Sequence, residues 1–281
     1  MNVLELKSEF KNQLPDRYTS SEVGVIFSVF LEKKMGLNSI QQKIFQDKEL
    51  SQKEEKEFMD ILSELKKGRP YQQILGEVEF FGLPFFVNEN VLIPRPETEE
   101  LLELSIEKIV QRFGNEKINI LEIGSGSGVI SIVLKKHFPN AEITSLDISE
   151  EALQIARKNA NFHKVEISFV RENYLEMLCT DSFDVIISNP PYIGKDEFSE
   201  IENSVKNYEP NIALFSPMED TLVFYRKIAQ DVERILKDNG LIFLEINQKL
   251  GTETLQLFSN LEAYLLQDLS QNDRFIYAIK N

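Results

Sequence analysis

Ile118-Asn119-Ile120-Leu121-Glu122-Ile123-Gly124-Ser125-Gly126-Ser127-Gly128 is an apolar strand pattern that runs straight into three alternate glycines. Val129 to Lys136 follows with helical spacing, and Ala141 to Asp147 reads as a second strand. Strand, glycine turn, helix and strand make the opening unit of a parallel sheet, because parallel neighbours need a crossover helix. Glycines at such a turn let the backbone bend sharply and approach a ligand with no Cβ in the way. The spacing is Gly-x-Gly-x-Gly, which differs from the Gly-x-Gly-x-x-Gly of pyrophosphate binders and lacks the Lys-Ser/Thr of a P-loop.

The same alternation continues towards the C-terminus. Glu150 to Asn161 reads as a helix, and Val165 to Val170 and Phe183 to Ser188 as strands. A helix near Thr221 to Lys237 and a strand Leu241 to Ile246 come next. Two closing strands, near Tyr264 to Leu269 and Phe275 to Ile279, have no helix between them and add one antiparallel strand. Near-continuous apolar strands imply a sheet covered on both faces. The expected fold class is therefore α/β, with a mostly parallel sheet.

Towards the N-terminus the pattern changes. Residues 1–75 read as helices: Thr19-Ser20-Ser21-Glu22 and Ser51-Gln52-Lys53-Glu54 have capping-box spacing. Val23, Ile26, Phe27, Phe30 and Leu31 then mark one helical face, and Phe58, Ile61, Leu62 and Leu65 another. Residues 76–94 read as a β-hairpin linker, with Glu77 to Phe81 and Phe85 to Val87 flanking Gly82. Pro96 suits the first position of a helix that opens a domain spanning 95–281. No internal repeat or low-complexity segment interrupts this plan.

Composition narrows the function. Among 281 residues, 31 are Lys or Arg and 46 Asp or Glu, a net charge of −15. The first 80 residues hold 12 basic and 14 acidic side chains, so the excess lies in the remainder. An acidic surface without basic runs repels phosphate backbones, which argues against stable nucleic-acid binding and favours a basic partner or a cationic ligand. No apolar run exceeds five residues, and the start lacks a signal-peptide pattern, so a cytoplasmic protein is expected. One cysteine, Cys179, and two histidines, His137 and His163, point to neither a disulfide nor a metal centre.

Two stretches carry chemistry. Asp147 ends the second strand 19 residues past Gly128, where a carboxylate accepts hydrogen bonds from ribose hydroxyls. With so weak a phosphate cradle, the implied nucleoside ligand is S-adenosylmethionine rather than a dinucleotide. Asn189-Pro190-Pro191-Tyr192 follows the strand Phe183 to Ser188, at the carboxyl end where open α/β sheets bind ligands. Proline holds Asn189 extended, and neither proline donates an N–H to the nearby carbonyls. Asn189 Oδ1 and the Pro190 carbonyl are then placed to accept both hydrogens of one –NH₂ group, with the flat Tyr192 ring beside it. An amide nitrogen delocalises its lone pair, so it must be aimed at the methyl and partly pyramidalised. Positioning and two acceptors achieve that without a general base.

Asn-Pro-Pro-Tyr after Glu-x-Gly-x-Gly-x-Gly resembles class I methyltransferases acting on planar –NH₂ groups. Further stretches resemble one family, the bacterial release factor glutamine methyltransferases (PrmC/HemK type). They are Gly68-Arg69-Pro70-Tyr71-Gln72-Gln73-Ile74-Leu75-Gly76, Phe80-Phe81-Gly82, Val91 to Glu99 with its Pro-Arg-Pro-Glu-Thr-Glu, and Tyr208-Glu209-Pro210 with Ala213-Leu214. The resemblance implies a seven-stranded Rossmann-like sheet with one antiparallel strand, behind a small helical domain that docks substrate. It implies S-adenosylmethionine contacts at Gly124, Ser125, Gly126, Ser127, Gly128, Asp147 and Asn189, with no metal. It also implies that Asn189, Pro190, Pro191 and Tyr192 hold the substrate glutamine, with Asn189, Pro190 and Tyr192 catalytic. Asn173 and Tyr174 match the position facing the adenine. The implied reaction methylates the N5 amide of the Gly-Gly-Gln glutamine in class I peptide chain release factors, a translation-termination role.

Two departures stand out. Ser216-Pro217-Met218-Glu219-Asp220-Thr221-Leu222 replaces the family's Gly-Gly-x-Asp-Gly-Leu, and Gln271 stands where glycine is common. Arg95 and Glu97 read equally as linker anchors or as cofactor-pocket residues. Competing functions are a ribosomal-protein glutamine methyltransferase, an adenine-amino nucleic-acid methyltransferase, which the charge disfavours, and a non-catalytic module that keeps the fold.

Overall fold

Helices open the chain because their caps are written locally. At Thr19 the hydroxyl accepts the Glu22 N–H while the Glu22 carboxylate accepts the Thr19 N–H, and Ser51 and Glu54 repeat the exchange. The structure, a computed structural model, describes every residue except 15, 16, 218 and 219. It divides into two compact units.

The first unit comprises Met1–Gly76 together with Glu202–Tyr208. Helices α1 (Val3–Gln13), α2 (Ser20–Met35), α3 (Ser39–Ile44), α4 (Gln52–Lys67) and α5 (Tyr71–Leu75) precede the hairpin. Phe10, Phe27 and Phe58 meet at its core, Phe10 and Phe27 edge to face at 5.1 Å. Its late-sequence member is α9 (Asn203–Tyr208), whose Tyr208 hydroxyl donates to the Lys67 carbonyl at 3.1 Å. Gln73 Nε2 donates to the Tyr208 carbonyl at 2.7 Å, so this distant segment is tied to the helical core by two hydrogen bonds.

The second unit comprises Glu77–Ile201 and Glu209–Asn281. It starts with an antiparallel hairpin, β1 (Glu77–Phe80) and β2 (Leu83–Phe86), whose turn holds Phe81 at φ 52° and Gly82 at φ 68°. α6 (Pro96–Phe113) begins with proline at its first position, as the sequence predicts. The rest alternates: β3 (Asn119–Ile123), α7 (Val129–His137), β4 (Glu142–Asp147), α8 (Glu150–His163), β5 (Ser168–Arg171) and β6 (Phe183–Ser188). α10 (Asn211–Leu214), α11 (Val223–Ile235), β7 (Leu236–Glu245), α12 (Gly251–Leu257), β8 (Glu262–Gln267) and β9 (Asp273–Ile279) complete it.

The seven strands order as β5-β4-β3-β6-β7-β9-β8, parallel except that β9 runs against both neighbours. That is the expected α/β sheet with one antiparallel strand. Successive residues alternate between two cores: Val185 and Ile187 face α6 and α7, whereas Ile186 joins Tyr225, Ile228 and Val232 of α11. The chain winds outward from β3 through β4 to β5, then returns to β6 beside β3. A crevice therefore opens between the carboxyl ends of β3 and β6, the place where such sheets bind ligands. Ile123 pairs with Ser188, so Gly124 and Asn189 both emerge at that crevice.

The starts of two strands differ most from expectation. β5 starts at Ser168 instead of Val165, because the Val165 N–H is spent on the Ala160 carbonyl at the end of α8. β7 starts at Leu236, with Asn239 at φ 64° in an irregular stretch where its register to β6 shifts. α12 is too short and polar to show helical periodicity. Among the described residues, no helix is long and apolar enough to cross a membrane.

Candidate active site

A cavity of about 260 Å³ occupies the crevice. Its floor is the turn after β3. The Gly124 and Ser125 N–H groups both donate to the Leu146 carbonyl, which holds that turn against β4. Gly126, at φ 51°, aims its N–H at Asp147 Oδ2 (2.9 Å), and Asp147 Oδ1 takes the Ser149 N–H (2.9 Å). Each carboxylate oxygen thus accepts a backbone N–H, and the carboxylate lines the cavity where it can also accept from a ligand. Burial raises the Asp147 carboxyl above its usual range, and the backbone donors from Ser149 and Gly126 oppose that rise.

Gly124, Ser125, Gly126, Ser127, Asp147, Asn173, Tyr174, Asn189, Pro190 and Pro191 all line the cavity. Two residues of the sequence-based set do not. Gly128 caps α7 at φ 80°, and a Cβ there would sit 3.1 Å from Ala156 Cβ, so close packing explains that glycine. Tyr192 turns inward, and its hydroxyl donates to Glu245 Oε1 at 3.2 Å. Burial, reinforced by the Glu245 charge, pushes its phenol up. Tyr174 lines the cavity while its hydroxyl donates to Asp231 Oδ2 at 3.1 Å, and burial raises that phenol too.

Asn189 is held by residues that the motif reading passes over. Its Nδ2 donates to Thr98 Oγ1 at 3.1 Å, and Thr98 Oγ1 donates to Glu245 Oε2 at 2.7 Å. Glu245 is 1% exposed, and burial pushes its carboxyl up to about 7. Beneath the glycine turn, Glu122 is also 1% exposed. Its Oε2 accepts the Ser145 hydroxyl at 2.5 Å, and its Oε1 has no hydrogen-bond partner. Burial pushes this carboxyl to about 8, although hydrogen bonding pulls the other way. The burial of both was signalled in the sequence: each carboxylate interrupts a short apolar run, Ile120 to Ile123 and Leu241 to Ile246, and buried charge is rarely kept without a partner.

The Pro-Arg-Pro-Glu-Thr-Glu stretch distributes its polar side chains around this site. Arg95 pairs with Glu209 Oε1 at 2.6 Å, while Glu209 Oε2 takes the Ile93 N–H at 2.9 Å. Arg95 also lines the cavity, so it serves as both anchor and wall. Glu99 accepts the Phe81 N–H at 2.5 Å and fixes the hairpin turn. Glu97 stands close enough to Glu245 to raise its carboxyl further.

Of the altered loop, Met218 and Glu219 lie outside the described residues; Asp220 pairs with Arg226, and Ser216 Oγ donates to the Asp220 carbonyl at 2.5 Å. Gln271 adopts φ 65°, the left-handed conformation that explains glycine's suitability there. Cys179 is buried and unpaired. Among the described residues, no cluster of three or more His, Cys, Asp or Glu is placed to hold a metal.

Comparison with known proteins places the chain among methyltransferases. A family model described as a methyltransferase small domain matches residues 102–205. The chain is 41% identical over 283 residues to the release factor glutamine methyltransferase of Flavobacterium psychrophilum, covering 98% of each. It is 35% identical to that of Bacteroides thetaiotaomicron, covering 95% of this chain and 96% of the relative. Among solved structures it is similar to a methyltransferase from Pyrococcus furiosus, with a TM-score of 0.51 at 18% identity, covering 72% of this chain and 91% of that one. The latter likeness is one of fold.

Proposed function

The chain belongs to the release factor glutamine methyltransferase family, and we propose that it transfers a methyl group from S-adenosylmethionine to the N5 amide of the Gly-Gly-Gln glutamine in class I release factors. One observation carries the reading: the Asn189 amide is anchored through its –NH₂ end, which leaves Oδ1 as the acceptor offered to a ligand.

The residues present fit the cofactor. Asp147 presents its carboxylate at the cavity for the ribose hydroxyls, and Glu122 keeps a buried oxygen without a partner at a cavity that would receive a cationic ligand. Tyr174 and Asn173 supply a wall for the adenine. When bound, the cofactor supplies a methyl on a sulfonium whose sulfur leaves as a neutral thioether. Asn189 Oδ1 and the Pro190 carbonyl accept the two amide hydrogens of the glutamine and turn its nitrogen towards that methyl. Two oxygen acceptors also favour the positive charge that builds on the nitrogen during transfer, and the methylated nitrogen, strongly acidic once alkylated, then releases one of its two hydrogens as a proton to solvent. The prolines and the apolar wall exclude water, which strengthens both contacts.

The charge of −15 supports a basic protein partner over a nucleic acid. The helical unit is proposed to dock that partner. Cross-linking mass spectrometry checks this: links between a release factor and residues 1–75 are expected, and links confined to 95–281 would remove the docking role. The reaction itself is tested by offering labelled cofactor with a release factor, a ribosomal-protein mixture and an adenine-containing oligonucleotide. Label on the release factor alone supports the reading; label on either competitor in its place overturns it.

A further inference from the structure

Thr98 places its hydroxyl, with a single proton, between a carboxyl group and the side-chain amide of Asn189. Its oxygen lies 2.7 Å from Glu245 Oε2 and 3.1 Å from Asn189 Nδ2. A carboxylate only accepts, so the Thr98 proton goes to Glu245. The Thr98 oxygen is then left with lone pairs alone on its other side. That side can receive a donor and cannot supply one, so the Asn189 amide must face it through –NH₂.

We propose that Glu245, acting through Thr98, is a positioning residue that sets the amide orientation of Asn189 and so keeps Oδ1 turned towards the substrate. The inference rests on the glutamine-methylation reading for its consequence, though not for its geometry. Glu245 is suited to the task because it cannot move: its other oxygen accepts the Tyr192 hydroxyl at 3.2 Å, and the Tyr225 hydroxyl donates to its main-chain carbonyl at 3.0 Å. Tyr192 therefore also belongs to this network, away from the cavity. An amide with its two ends exchanged would present two donors to a substrate –NH₂, and such a pair repels.

The charged and titratable groups facing Glu245 come from several elements. Arg274 on β9 lowers its carboxyl, Glu97 on α6 raises it, and Tyr192 beside β6 hydrogen-bonds it. Burial outweighs these, so Glu245 takes up a proton near neutral pH. Once protonated it has an O–H of its own to give Thr98, which frees the Thr98 proton for Asn189 Oδ1 and removes the constraint.

The test is single-turnover methylation of a release factor at saturating cofactor, run across pH on Thr98→Val, Thr98→Ser and Glu245→Gln. Thr98→Val keeps the shape and deletes the relay, and the rate should fall by roughly five- to tenfold, the worth of one such hydrogen bond. Cofactor affinity should stay within twofold. Thr98→Ser should restore most of the rate, and the loss of rate on acidification through about pH 7, present in the native protein, should be absent from both Thr98→Val and Glu245→Gln. A substrate-free readout separates this inference from the function it rests on. In nitrogen NMR of the cofactor-bound protein, the Asn189 side-chain amide should shift as pH passes through that range, and Thr98→Val should abolish the shift. Native protein that fails to methylate while showing the titration refutes the substrate and leaves the relay standing. An Asn189 signal indifferent to pH and to Thr98→Val overturns the relay, as does equal loss of rate in Thr98→Val and Thr98→Ser.

Discussion

Replacing Asp147 by alanine removes a carboxylate whose two oxygens each hold one backbone N–H, from Gly126 and Ser149, both at 2.9 Å. In the cofactor complex proposed here, the remaining lone pairs accept the ribose hydroxyls. A hydrogen bond to a charged acceptor contributes about 1.5–3 kcal/mol, so two would give roughly 3–6. Part of that is offset, because the ribose hydroxyls give up their own hydrogen bonds to water when they bind. A net loss of about 2–4 kcal/mol follows, or roughly 30- to 1,000-fold in Kd. Asp147→Asn should be no milder. Its –NH₂ end must meet either the Gly126 or the Ser149 N–H, donor against donor, so the turn itself is disturbed. Isothermal calorimetry with S-adenosylmethionine reads both variants, with circular dichroism to check that the fold persists. Cofactor affinity within twofold of the native protein in a folded Asp147→Ala would show that the carboxylate is structural and that the nucleoside binds elsewhere.

Asn189→Ala deletes an acceptor that acts only on the aligned substrate. Its turnover should drop by about 10²–10³ while cofactor Kd, measured by calorimetry, stays near the native value. Glu122 holds its proton to about pH 8 in the fold but to about 4.5 when unfolded, so stability present at pH 4.5 is lost as pH rises to 8. Glu122→Gln should therefore raise the melting temperature of the cofactor-free protein more at pH 8 than at pH 5; a gain independent of pH would contradict the burial argument. Gln271→Gly relieves a left-handed residue at φ 65° and should stabilise by up to about 1 kcal/mol, read as a rise of a few degrees in thermal unfolding.

The sheet was legible because its strands are apolar and its turns are marked. Ile118 to Ile123 leads into glycines whose positive φ values most other residues adopt only at a cost, and Phe183 to Ser188 leads into a pair of prolines. Cavity-lining residues that follow strand ends could be read the same way, since the topology carries them to one crevice. Side chains that act from a distance in sequence could not. Thr98 and Glu245 are 147 residues apart, and only the pairing of α6 with the end of β7 brings them to 2.7 Å. Tyr192 belongs to the motif, yet whether it faces the cavity or the core depends on Glu245 waiting beneath it. Likewise α9 sits late in the sequence and folds with the helical unit, because its partners Lys67 and Gln73 are invisible to local periodicity.

Everything proposed for the site converges on one nitrogen. Tandem mass spectrometry of a class I release factor, after incubation with this protein and S-adenosylmethionine, reads that nitrogen directly. A single added methyl on the side-chain amide of the Gly-Gly-Gln glutamine, absent when the enzyme carries Asn189→Ala, is the predicted result. A methyl on any other residue, or an unmodified release factor beside a methylated ribosomal protein or adenine, would contradict it.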